Sequence, residues 1–177
     1  MLTTTLILAA SIAAAPVEVR GACADPRRAI EMALPVIESF EGLRLRAYKD
    51  PRPGAPIWTI GVGHIQGVRQ GDTITIEHAR ELERQDATEA AGQICAVLEV
   101  AVEDEQLAGL ISFVFNLGIG TLLKSLNQGL LYLINQGRFV SAARVMRRYV
   151  YAGKPPQVLP GLVRRREAEA RMLVGGG

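Results

Sequence analysis

The sequence predicts an α+β fold: a mostly helical domain with a small sheet region set into it. Three observations carry this. Apolar residues recur at helical spacing from Asp25 to near the carboxy end. One interruption, residues 43–72, is rich in glycine and proline and holds short strand-like runs. The chain has 177 residues, 49% hydrophobic and 21% charged, which suits one domain or one domain plus a tail and excludes a disordered or collagen-like chain.

The elements follow in chain order. Residues 1–17 carry no charged side chain. As a helix they would cover about 25 Å against about 30 Å of hydrocarbon, so a stable span is marginal. An export signal fits better, an apolar stretch followed by small residues, although no Lys or Arg precedes it. Cleavage after Ala15 or after Ala24 suits that reading; a weak membrane anchor is the alternative. Arg20, three residues before Cys23, argues against a lipoprotein signal. The chain thus divides into an export signal or weak anchor over 1–24 and a folded domain over 25–177.

Asp25 and Pro26 read as a helix cap followed by proline at the first helical position. Ile30, Leu34, Ile37 and Phe40 continue at helical spacing to a stop at Gly42, with a kink or fresh start expected at Pro35. Residues 43–48 and 57–64 read as strands around a loop, 51–56, that contains three prolines. Thr75 caps a helix running toward Val100. A third helix, about 104–117, has a core stripe at Leu107, Leu110, Ile111, Val114 and Phe115. Leu122, Leu123, Leu126, Leu130 and Leu133 mark another helical region, broken at Gly129; Phe139, Ala142, Ala143, Met146 and Val150 mark the next. Residues 153–160 read as a loop and 161–174 as a basic last helix.

The formal net charge of +2 hides an asymmetry. Residues 81–108 carry eight acids against Arg84, and residues 138–177 carry nine bases against Glu167 and Glu169. Such runs are usually solvated helix faces; alternatively, the basic end draws the protein to an anionic surface. Cys95 lies in a helical run and reads as a small buried hydrophobe, with a Cys23–Cys95 bridge open in an oxidising compartment and excluded by cleavage after Ala24. No metal or cofactor is expected: the two histidines, His64 and His78, form no HExxH motif, and GxSxG and GxxxxGK are absent. Nine aromatic residues give the basic helix few stacking partners, so nucleic acid is not an expected ligand.

The chemistry concentrates in residues 41–64, EGLRLRAYKDPRPGAPIWTIGVGH. Trp58, Ile60 and Val62 alternate with Thr59, Gly61 and Gly63, so one strand face is apolar and the other bare apart from one hydroxyl. Glycines of this kind mark close approach by a ligand, and a bulky polymer would fit that face. Glu41 and Asp50 flank it. Two carboxylates across a cleft suit glycosidic bond cleavage. Taken alone, the pair fits a helix-end ion pair and a turn cap better.

EGLRLRAYKD followed by WTIGVGH closely resembles the catalytic segment of the phage-type lysozymes, glycoside hydrolase family 24. GDTIT (71–75), EQLAGLISFVFNLG (105–118), SLNQG (125–129) and LPGLVRRREAE (159–169) follow in the family's order, so the resemblance covers about residues 27–174. It implies a lysozyme-like fold, with a small antiparallel sheet lobe and a larger helical lobe flanking a cleft. It implies a muramidase that cleaves the β-1,4 bond between N-acetylmuramic acid and N-acetylglucosamine of peptidoglycan. By carry-over Glu41 is the general acid, and Asp50 with Thr59 holds the attacking water, in an inverting reaction. Asn116, Gly61, Gly63 and Arg165 are the expected substrate-side residues, Arg165 by approaching Glu41; Tyr48 and His64 organise the sheet. One departure stands out: eight residues separate Asp50 from Thr59, where many members have five. The rival reading is a catalytically silent lysozyme-like domain that binds peptidoglycan or a secretion partner. Either protein would be a monomer exported to the periplasm or cell envelope, by cleaved signal or weak anchor, with transient membrane association through residues 1–17. Its task would be host lysis or local wall remodelling.

Overall fold

An amphipathic helix beginning at a proline and ending at a glycine opens the domain. The computed structural model describes residues 23, 25–49, 57–124 and 129–175. The expected export segment apart from Cys23, Asp50 with the loop 51–56, and Leu126 with most of SLNQG lie outside the described residues. α1 (Arg27–Glu41) buries Ala29, Ile30, Ala33 and Ile37. Asp25 accepts the backbone N–H of Arg27 at 3.0 Å, so the helix starts one residue later than a simple Asp25 cap requires. α1 runs through Pro35 without a restart, because Pro35 lies on the exposed side, where its missing N–H costs least. Gly42, at φ 72°, ends the helix with Glu41 as its last residue.

The chain then makes a small sheet. β1 (Arg44–Lys49) pairs antiparallel with β2 (Trp58–Gly61), Tyr48 opposite Thr59, with an irregularity between Arg44 and Tyr48. The other edge of β1 bonds to residues 72–74, through Ala47 N–H to the Asp72 carbonyl and Ile74 N–H to the Leu45 carbonyl, both at 2.9 Å. α2 (Ile76–Cys95) starts at Thr75, whose side chain accepts from the His78 N–H at 3.2 Å, as the cap pattern predicts. It ends at Cys95, five residues short of Val100.

α3 (Asp104–Leu117) is the centre of the helical body. A capping box between Glu103 and Gln106 starts it. The sequence suggests a single stripe, yet every residue from Leu107 to Val114 is buried. The reason is that α1, α2 and α7 pack around it. α4 (Ile119–Leu123), α5 (Leu130–Asn135) and α6 (Phe139–Met146) complete the body. Within the expected loop 153–160, Gln157–Val158 form a short strand, β4, which pairs with β3 (Tyr151–Ala152) across the turn 153–156. α7 (Pro160–Leu173) closes the domain against α3. Gly109 permits this: a Cβ there would lie 2.8 Å from the Glu169 carbonyl oxygen.

Two expectations change here. Cys95 is not a free buried thiol; it is bonded to Cys23 across 72 residues, which ties the approach to α1 to the end of α2. The charge runs are not wholly solvated either. Arg165, Arg166 and Glu169 on α7 and Glu83 on α2 are 3% exposed or less. Among the described residues no helix is long and apolar enough to cross a membrane, and no group of three potential ligands could hold a metal ion.

Candidate active site

Glu41 stands where α1 stops, at the junction of the small sheet and the helical body. Its side chain is 25% exposed. Arg165, on α7, donates from Nη1 to Glu41 Oε1 at 2.5 Å. The second oxygen, Oε2, faces Gly63: a Cβ at that glycine would lie 3.6 Å from it and 3.5 Å from the Phe115 ring. One carboxylate oxygen is thus fixed by a cation, and the other borders bare backbone.

Glu41 lines a cleft of about 410 Å³ together with Tyr48, Thr59, Gly63, Phe115 and Asn116 on one part of the wall and Tyr151, Ala152, Leu159 and Leu162 on another. A second recess of about 470 Å³, running past His64, Ile65, Gln66 and Glu89, shares Gly63 and Phe115 with it. The two recesses meet at Gly63 and Phe115. Two polar atoms are held in this wall without partners: Thr59 Oγ1 and Asn116 Oδ1 are buried and have no hydrogen-bond partner among the described residues. Leaving such groups unpaired costs stability, about 1–3 kcal/mol each, unless something that enters the cleft satisfies them.

The structure therefore brings Glu41, Thr59, Gly63 and Asn116 together. Two residues expected on the substrate side stand elsewhere. Gly61 does not border the cleft: β2 ends there, φ turns to +64°, and a Cβ would meet Ala79 and Ile74 at 3.5 Å. The alternation assumed for 58–63 fails because the chain turns back at once, Ile60 and His64 exchanging two backbone hydrogen bonds at 2.9 Å. Arg165 touches Glu41 but is only 2% exposed, so it lies behind the acid, not at the surface a sugar would meet. Asp50 lies outside the described residues. His64 is structural in its contacts: Nδ1 donates to Asp86 Oδ2 at 2.8 Å, and Nε2 lies 3.0 Å from the Gln66 carbonyl.

Behind Arg165 lies a polar cluster that the sequence reading passed over. Glu169 Oε1 accepts from Ser112 Oγ at 2.7 Å, Arg165 Nε at 3.0 Å and Arg166 Nη2 at 2.8 Å. Arg166 Nε lies 2.6 Å from Glu169 Oε2, and its guanidinium sits over the Phe113 ring. Burial pushes the Glu169 carboxyl above and the Arg166 guanidinium below their ordinary values, while each counters the other's charge. The available signal was spacing: Glu169 falls three and four residues after Arg166 and Arg165, and Ser112 interrupts an apolar run. Tyr151, which also lines the cleft, falls between the helical run expected to end at Val150 and the loop expected from 153, where no local pattern marks it.

A family model described as phage lysozyme matches residues 38–169. The chain is 37% identical over 142 residues to an endolysin of Bacillus phage B103, covering 80% of this chain and 52% of that protein, so it spans about half the length of that relative. It is 32% identical over 140 residues to a SAR-endolysin of bacteriophage PS119, covering 78% of this chain and 79% of the other. Among solved structures, the muramidase domain of SpmX from Asticaccaulis excentricus superposes with a TM-score of 0.70 at 32% identity, covering 80% of this chain and 94% of that domain.

Proposed function

The chain belongs to the phage lysozyme family of glycoside hydrolases, and from that premise we propose that it is a muramidase cleaving the β-1,4 bond between N-acetylmuramic acid and N-acetylglucosamine. The observation that carries this reading is the position of Glu41: a partly exposed carboxyl at a helix end, one oxygen on Arg165, in the same cleft as a Thr59 hydroxyl that has no partner among the described residues. Glu41 protonates the glycosidic oxygen from Oε2, the oxygen not engaged by Arg165. Thr59 accepts or donates to the water that attacks the anomeric carbon, and Asp50 takes that water's proton. Asn116 meets a polar substituent of the sugar, and Gly63 leaves the room that a pyranose ring needs beside the acid. Tyr151, 62% exposed, offers a ring face to the glycan from the opposite wall.

The enzyme works outside the cytoplasm. Three features support this: the uncharged residues 1–17, the likeness to a SAR-endolysin, and a Cys23–Cys95 bridge of the kind that persists in oxidising compartments. Keeping Cys23 requires processing before it, so cleavage after Ala15 is compatible and cleavage after Ala24 is not. The intact mass of the exported protein distinguishes them.

Clearing of a purified peptidoglycan suspension by wild type and by Glu41→Gln tests the activity. Wild type clears it, releasing new reducing ends at N-acetylmuramic acid, and the variant is at least 100-fold slower, as loss of a general acid requires. Equal rates would remove Glu41 from the chemistry. No clearing by either, with peptidoglycan still bound, would favour the silent binding domain.

A further inference from the structure

We propose that Glu169 is a positioning residue for the acid, acting on Glu41 through Arg165. The inference rests on the reading of Glu41 as the proton donor and adds what keeps that donor usable. Arg165 is held on three sides: Nε donates to Glu169 at 3.0 Å, Nη2 donates to the Ser112 carbonyl at 3.1 Å, and Nη1 donates to Glu41 at 2.5 Å. A planar guanidinium held by its Nε and one Nη has a single position for the other Nη, so Glu169 and Ser112 set where Glu41 is gripped.

Glu169 also balances charge. Arg165, Arg166, Glu169 and Glu41 together make two cations and two anions, three of them almost fully buried. With Glu169 in place, Arg165 has a buried counter-ion besides Glu41. Without it, Arg165 loses the partner of its Nε, and its Nη1 no longer has a fixed place against Glu41 Oε1. A purely structural ion pair, joining α7 to α3 and nothing more, predicts a lower melting temperature and no change in the chemistry.

The test measures kcat and KM on soluble glycan chains from peptidoglycan, for the wild type, Glu169→Gln, Arg165→Lys and the double variant, at a temperature where each is folded by circular dichroism. Glu169→Gln lowers kcat roughly 10- to 100-fold with KM little changed. The double variant is no slower than the slower single variant, because both changes break one chain of contacts. If Glu169→Gln does not fold, Glu169→Asp retains the charge and withdraws the carboxylate by one methylene; it loses kcat with KM little changed. Unchanged kcat in the folded variant, or single effects that multiply in the double variant, would overturn the proposal. An active Glu41→Gln would instead overturn the reading on which it rests, whatever Glu169 does.

Discussion

Replacing both half-cystines, Cys23→Ser with Cys95→Ala, removes the one covalent tie between the start of the folded domain and the end of α2. The bridge closes a loop of 72 residues. In the chain-entropy treatment a closed loop of that size lowers the entropy of the unfolded chain by about 15 cal/mol/K, or about 4 kcal/mol at 25 °C. In the folded state α1 and α2 already pack on α3, so the bridge adds little to the native contacts and most of its effect lies in the unfolded chain. For a domain of this length about 4 kcal/mol lowers the melting temperature by roughly 10 °C. Thermal melts of the purified domain, oxidised wild type against the double variant, measure it. Alkylation of the unreduced, denatured wild type checks the premise and takes up no label, since the chain has two cysteines and both are paired. A shift under about 2 °C with the bridge shown to be formed would refute the loop-entropy argument.

The remaining expectations are shorter to state. Gly109→Ala puts a methyl 2.8 Å from the Glu169 carbonyl oxygen, separates α3 from α7, and costs about 1–3 kcal/mol in chemical denaturation; as it also shifts Arg165, activity falls with it. Burial pushes the Glu83 carboxyl up to about 7 from the ordinary 4.5, and Glu38 adds to the shift. Since the folded state binds this proton more tightly, its contribution is complete below about pH 4.5 and is lost as pH rises through 7. Glu83→Gln removes that slope and raises stability at pH 8, read from denaturation midpoints at both pH values. Tyr151→Ala raises KM about 5-fold and Tyr151→Phe leaves it near wild type, if the ring face is what meets the glycan.

Much of the fold was legible because its signals are local. Thr75 caps α2, glycines end α1 and α3, and the 104–117 periodicity matches α3 in position and length. What failed depends on tertiary contacts. Whether Pro35 breaks a helix turns on which side of α1 it occupies, and that side is exposed. Gly61 and Gly63 look equivalent in a strand pattern, but a turn at 61–64 sends one toward Ala79 and the other to Glu41. Arg166 and Glu169 read as solvated charge on a basic helix, since nothing local announces that α3 offers Ser112 and Phe113 opposite them. Among the residues lining the cleft, Glu41 and Thr59 stand out in the sequence through the family motif, whereas Tyr151 belongs to a hairpin whose two-residue strands leave almost no periodic trace.

The anomeric configuration of the first-formed product tests the central mechanism most directly. Proton NMR during the first minutes of cleavage of soluble glycan chains, before mutarotation, resolves the new reducing-end anomeric proton. Water delivered by Thr59 and Asp50 to the face opposite Glu41 yields the α anomer from the β-1,4 bond. A β anomer appearing first would mean a covalent intermediate, and the water-attack account would fail.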